Sequence, residues 1–253
     1  MKLIVTADDV GLHRGMTEGA IRAHREGIVT ACSVVVNGVA FDDAVARLRE
    51  VPSLEVGVHL TLVEERPLTA IRFSNKYTSF LPRYLARRIS IEAIERELRA
   101  QIERVADAGL TITHLDGHQH LHLLPRIFAV VTRLAREHAI PYVRIVDDRG
   151  STSRRMPMAA LNVLGRRARA SLIGDAAVRT NDHTIGVADA GHLTDVVHLL
   201  DHVTGITELV THPGMGVDGY GWGYAWEAET RALCDPRLRE ELAARGIDLA
   251  GPS

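Results

Sequence analysis

Short apolar runs that end in charged or imidazole side chains alternate with amphipathic stretches along most of this chain. That alternation limits the fold more than any single motif. Leu3 to Thr6 reads as a buried strand and Met16 to Glu26 as a helix closed by Gly27. Cys32 to Val36 is the next strand, and Phe41 to Arg49 a helix with Asp42 and Asp43 in its first turn, where the helix dipole favours acids. Leu54 to Leu62 reads as a third strand, and Ile91 to Ala108 as a long amphipathic helix ending at Gly109. Thr111 to Leu115 is then a strand, and Pro125 suits the first turn of a helix running to about His138. Tyr142 to Val146 and Gly205 to Thr211 are further strands. Strand followed by helix, repeated, argues a parallel sheet covered by helices, with enough repeats for a barrel. The expected fold class is therefore α/β, with residues 1–253 as one domain.

In such folds reactive side chains collect at the C-terminal ends of the strands. Asp8, Asp9, His59, His118, Arg144 and His212 all fall at or near those ends. The stretch from His114 to His122 holds four of the chain's thirteen histidines, just before Leu123-Leu124-Pro125. Imidazole is the commonest neutral metal ligand, and a surface loop gains nothing structural from four of them. Together with Thr6-Ala7-Asp8-Asp9 and Gly57-Val58-His59-Leu60, the block predicts a mononuclear metal centre assembled from strand ends, and so an enzyme.

Composition narrows the partners. A formal net charge of −2 excludes a general nucleic-acid footprint. One basic run, Arg154-Arg155 and Arg166-Arg167-Ala168-Arg169, reads as a solvated helix face, with an anionic substrate or membrane surface as the alternative. The N-terminus enters a strand at once, without a secretory signal, and no apolar run is long enough to span a bilayer. Cys32 and Cys234 show no metal spacing and read as reduced, so a cytoplasmic location is expected. The segments 67–88 and 147–156 read as long loops over the mouth of the sheet, where substrates are chosen. Residues 214–226 hold five glycines and four aromatics, a rim or a dimer contact.

Thr6-Ala7-Asp8-Asp9-x-Gly11, Ile28-Val29-Thr30, Val36-Asn37-Gly38, Gly57-x-His59, the block Thr113 to His122, and His212-Pro213 occur in that order. In these motifs the chain resembles the YdjC family of carbohydrate deacetylases, most closely from Leu3 to Gly214 and least over 147–209. The resemblance implies an irregular (β/α) barrel of the glycoside hydrolase/deacetylase type, one divalent metal, and an N-acetylated sugar as substrate. It implies Asp9, His59 and His118 as metal ligands, Asp8 as general base, His212 as general acid, and Arg144 holding Asp8 ionised. It also implies a homodimer.

Each of these residues has a plainer role open to it. An Asp pair at a strand end also serves as a turn or helix cap, and a histidine on an apolar strand also serves as a hydrogen-bonded core residue. His114 reads as such a core residue, with ligation in place of His118 as the alternative, and His120 as a further one. His120 and His122 read as supporting, substrate-contacting or packing residues. His183, His192, His198 and His202 read as surface or helix residues. Trp222 and Trp226 are candidates to stack on a sugar or to meet a second subunit. Val10 and Gln119 depart from the family pattern, which bears on the substrate more than on the reaction. One carboxylate and two imidazoles suit Zn²⁺, Co²⁺, Ni²⁺ or Mn²⁺, whereas the family implies Mg²⁺. Hydrolysis of another bond, or sugar binding without catalysis, are the competing functions; retention of Asp8, Asp9, His59, His118 and His212 together argues against the second.

Overall fold

In the computed structural model, residues 1–69, 76–148, 156–217 and 220–253 are described. Strand β1 (Lys2–Val10) is followed by helix α1 (Arg14–Arg25), β2 (Ala31–Val34), α2 (Phe41–Leu48) and β3 (Glu55–Leu60). Then come α3 (Tyr77–Leu85), α4 (Ile91–Asp107), β4 (Ile112–Gly117), α5 (Pro125–Glu137) and β5 (Tyr142–Val143). The remaining elements are α6 (Met156–Ser171), β6 (His183–Ile185), β7 (Ile206–Thr211), α7 (Trp226–Leu233), α8 (Arg237–Ala244) and β8 (Asp248–Leu249).

The strands form one parallel sheet in the order β5-β4-β3-β2-β1-β7-β6, with β8 also beside β1. Parallel strands need helical crossovers, and these bury both faces of the sheet. That is why β1 is buried at every position after Lys2 and reads as an unbroken apolar run up to its polar end. The two edges of the sheet approach each other through isolated bridges, Tyr142 to Arg179 and Asp148 to Thr184. Val143 N–H donates to the Arg179 carbonyl at 3.0 Å, and Thr184 N–H to the Asp147 carbonyl at 3.2 Å. The sheet is an irregular barrel, closed at this seam by single bridges instead of a full ladder.

Local chemistry sets the helix starts. The Ser90 hydroxyl accepts from Ala93 N–H at 3.2 Å to cap α4, and Pro125 opens α5. On α4 the buried stripe Ala93, Ile94, Leu98, Ile102 and Val105 faces the sheet and also carries Glu97 and Gln101 inward.

Two expectations need correction. The segment 67–88 is not loop throughout: it contains α3, anchored by Phe80 and Tyr84, one turn apart and stacked at 6.2 Å. Across 147–209, where the family resemblance is least, the chain forms α6 and β6. Apolar residues surround α6 without a clear stripe, and β6 is three residues long, so neither carries a readable period. His183 begins β6 and is thus a strand residue. Arg154, Arg155 and the centre of the expected 147–156 loop lie outside the described residues. Arg169 donates to the Asn181 and Asp182 carbonyls, which makes that member of the basic run a structural tether. Among the described residues no helix is long and apolar enough to cross a membrane.

Candidate metal centre

The end of β1 is bulged, its register against β2 shifting between Ala7 and Val10. Consecutive strand residues normally point to opposite faces. Here Asp9 takes a left-handed backbone, φ 64°, and both Asp8 and Asp9 line the same cavity at the barrel mouth. A bulge beside a site re-aims a side chain in this way. The cavity is about 340 Å³. His59 enters it from β3, His118 from just past β4, and His212 from just past β7.

Three donors converge there. Asp9 Oδ1 lies 3.5 Å from His59 Nε2 and 3.2 Å from His118 Nδ1. The three ligand atoms are all within 4.8 Å of one another and all three residues are buried, so the group could hold a metal ion. Each ring's other nitrogen meets a carboxylate. His59 Nδ1 donates to Asp116 Oδ1 at 2.8 Å, and His118 Nε2 lies 2.9 Å from Glu64 Oε2. Carboxylates behind ligating histidines are the usual support of a metal site, fixing both tautomer and ring orientation. Burial alone would raise the Asp9 carboxyl, but the hydrogen bond and charge of His118, with His59 and His212, hold it below the usual range. Burial would likewise lower His118, yet Asp9 and Glu64 push it up to about 10.

Beneath this group sits a charge cage built on Arg144, which is fully buried. Its guanidinium donates to both oxygens of Asp8, at 2.6 and 2.8 Å. It also reaches Asp116 Oδ2 at 2.8 Å and donates from Nε to Glu208 Oε1 at 2.7 Å. Ser33 donates to Asp116 at 2.6 Å, and Thr6 and Tyr142 each donate to Glu208 at 2.8 Å. Three buried carboxylates thus share one cation and several neutral donors, which is what burying charge requires. Asp116 is held well below the usual carboxylate range because Arg144 and His59 outweigh its burial.

His212 stands on the other side of Asp9, its Nε2 3.8 Å from Asp9 Oδ2. Burial pushes its imidazole below the ordinary value, while Asp9 and Asp8 draw it back up. Its backbone N–H donates to Glu229 Oε1 at 2.5 Å, and Tyr224 meets its ring edge-on at 5.4 Å. Trp222 stacks on His118 at 5.4 Å and lines the cavity, whereas Trp226 is buried against Leu12, Met16 and Val35.

The remaining histidines separate cleanly. His114 lies under the site, 3.0 Å from both Ser33 and Thr113 hydroxyls, and a Cβ on Gly57 would sit 2.3 Å from its ring. It is not among the converging donors. His122 Nε2 lies 3.0 Å from the Arg144 carbonyl, under the mouth. His120 lines the cavity wall, with Gln119 and His120 both left-handed at φ 52° and 53°. Sequence reasoning passed over Glu64, Asp116, Glu208, Ser33 and Glu229. Asp116 alone had a visible signal, a carboxylate two residues before His118 inside the histidine block.

The family model for YdjC-like protein matches residues 2–244. A carbohydrate deacetylase of Brevibacillus brevis is 40% identical over 153 residues, covering 56% of this chain and 58% of the relative. One of Oceanobacillus iheyensis is 36% identical over 158 residues, 58% of this chain and 66% of the relative. The chain therefore aligns with less than two thirds of either. A carbohydrate deacetylase of Vibrio parahaemolyticus is 29% identical over 256 residues, 98% of this chain and 93% of the relative. Among solved structures, a protein described as a candidate cellobiose-phosphate cleavage protein of Enterococcus faecalis superposes with a TM-score of 0.74 at 24% identity, covering 99% of this chain and 97% of that one. A lactam utilization protein of Thermus thermophilus has a TM-score of 0.53 at 14% identity, covering 99% and 100%. The two structures speak to the fold alone. With the family pattern matched almost end to end on this barrel, the chain belongs to the YdjC-like family.

Proposed function

We propose that residues 1–253 act as one metal-dependent deacetylase domain that removes the N-acetyl group from an N-acetylated amino sugar, in an oligosaccharide or glycoconjugate. The observation that carries this reading is the convergence of Asp9, His59 and His118, each imidazole backed by a carboxylate, directly above Arg144-bound Asp8 and beside His212. The carbohydrate deacetylases named above support it from the side of similarity.

Asp9, His59 and His118 would hold the ion, a donor set that suits Zn²⁺ and leaves room for Mg²⁺. When bound, it supplies Lewis-acid polarisation of the acetyl carbonyl and makes water a stronger acid. Asp8 accepts the proton of the attacking water at a carboxylate oxygen. Arg144 holds that carboxylate in place through two hydrogen bonds and faces its negative charge. His212, across the cavity, gives a proton to the departing amine nitrogen, so that amide and water become amine and acetate. Trp222 and Tyr224 wall the cavity with flat apolar surface against which a sugar ring can lie.

The test is acetate release from diacetylchitobiose and a panel of N-acetylated glycoconjugates, using metal-stripped and metal-restored protein. Acetate that returns with Zn²⁺ or Mg²⁺ is the expected result. Protein that takes up metal yet releases no acetate from any member of the panel sinks the N-acetyl reading.

A further inference from the structure

His118 is held more firmly than metal ligation by itself requires. Its Nε2 lies 2.9 Å from Glu64 Oε2, its ring stacks on Trp222 at 5.4 Å, and its Nδ1 is the nitrogen 3.2 Å from Asp9. His59 is arranged in the opposite sense, with Nδ1 on Asp116 and Nε2 toward Asp9. Glu64 also takes a weak contact from Gln119 Nε2 at 3.5 Å.

The loop that delivers Glu64 is built for the purpose. Glu64 has φ 71°, a left-handed backbone that a side chain adopts only where its surroundings enforce it. Residues on either side are fastened to α4. Gln101 is fully buried and accepts from Thr61 N–H at 2.9 Å while donating to the Thr61 carbonyl at 2.8 Å. Glu97, also fully buried, accepts from the N–H groups of Leu68 and Thr69, both at 2.9 Å, and from the Thr69 hydroxyl at 2.7 Å. Two inward polar residues, one helical turn apart, thereby staple both ends of the strained segment to the barrel wall. The side chain of Glu64 itself stays 32% exposed, so its burial adds little to the core.

We infer that Glu64 is a positioning residue of the metal centre. It takes the hydrogen of His118 Nε2 and so leaves Nδ1, beside Asp9, as the atom offered to the ion. The site then uses its two histidines through different nitrogens, His59 by Nε2 and His118 by Nδ1. This rests on the metal reading of the same site. Removing a carboxylate that backs a ligating histidine weakens metal binding by about 10–100-fold.

The experiment is a Zn²⁺ titration of metal-free wild-type protein, Glu64→Ala, Glu64→Gln and His118→Ala, with ¹⁵N-histidine NMR of the loaded forms. Expected is Zn²⁺ on Nδ1 of His118, affinity about 10–100-fold lower in Glu64→Ala, and a smaller loss in Glu64→Gln, whose side-chain carbonyl still accepts. Thermal stability of the metal-free Glu64→Ala protein should fall only by what one half-exposed hydrogen bond contributes and match Glu64→Gln closely, whereas a merely structural role would show a large loss with metal affinity unchanged. Zn²⁺ on Nε2 of His118, or unchanged affinity in Glu64→Ala, overturns the inference while the metal reading stands. Wild-type protein that takes up no Zn²⁺, or His118→Ala protein that binds as tightly as wild type, overturns the metal reading itself.

Discussion

Two buried carboxylate arrangements flank the same barrel mouth, and they solve the problem of burial in opposite ways. On the floor, Asp8, Asp116 and Glu208 gather around the Arg144 guanidinium and draw further hydrogen bonds from Ser33, Thr6, Tyr142 and His59. Behind His212, Glu229 is equally buried, but among the described residues it meets backbone N–H donors in place of a cation. Burial lifts its carboxyl to about 8, whereas Asp116 is held far below the usual range. The floor is a charged platform that fixes two side chains of the proposed site, Asp8 and His59. In the wall behind His212, burial favours the neutral form of the acid. A buried acid becomes a charge or a proton carrier according to the cation beside it, not according to its depth.

Single substitutions separate the two arrangements. Asp8→Asn keeps the shape of the floor and one acceptor for Arg144 but removes the proposed base. Turnover should fall about 10²–10⁴-fold with metal content unchanged, read by acetate release and metal analysis of the same sample. Loss of the metal in that variant would instead place Asp8 among the ligands. Arg144→Met strands three buried carboxylates without their cation, and denaturant unfolding should show a loss of about 3–5 kcal/mol. A change below about 1 kcal/mol would mean the cage is not electrostatically closed.

His114→Asn addresses the layer under the floor. It removes the contacts to Ser33 and Thr113, so stability should drop by about 1–3 kcal/mol while Zn²⁺ affinity stays near wild type. A large loss of affinity with intact stability would make His114 a ligand after all. A further test concerns Glu229. Its folded-state pKa of about 8 lies above the unfolded 4.5, so the folded state binds the proton more tightly. Stability from this group is therefore full below pH 4.5 and declines as pH rises toward about 8. Glu229→Gln should flatten that decline in a pH series of unfolding curves, and an unchanged slope would show that Glu229 is ionised in the fold.

The strand-end polar residues were legible because a buried parallel strand reads as an apolar run, and its first polar residue marks the mouth. Asp8, Asp9, His59, His118, Arg144 and His212 stand out on that ground, and five of them line one cavity, with Arg144 directly beneath. What was not legible is pairing across the chain. Glu208 lies inside β7 and meets Tyr142 and Arg144 more than sixty residues away, and no local spacing announces that contact. Glu64 sits on a loop that reads as surface, and its role depends on Glu97 and Gln101 of a later helix. The bulge after Ala7 was hidden as well, since strict alternation would have sent Asp8 and Asp9 to opposite faces. β6 is too short to announce itself, and α6 was legible only as a solvated helix face around its basic run because it lacks an apolar stripe.

The pairing of β1 carries a consequence for the order in which this molecule can be assembled. β1 precedes all its partners along the chain, and it meets β2 early along Thr6 to Val10. Its other edge, from Lys2 to Ala7, finds its partner only in β7, about two hundred residues later, and Lys2 and Leu3 wait for β8 as well. Contacts so distant along the chain form late and slowly. The strand that bears both aspartates is thus born with an unpaired apolar edge, of the kind that invites association with other chains. In a growing polypeptide of this sequence that edge stays open until the closing strands emerge, so yield in the cell should follow chaperone supply more closely than the stability of the finished barrel.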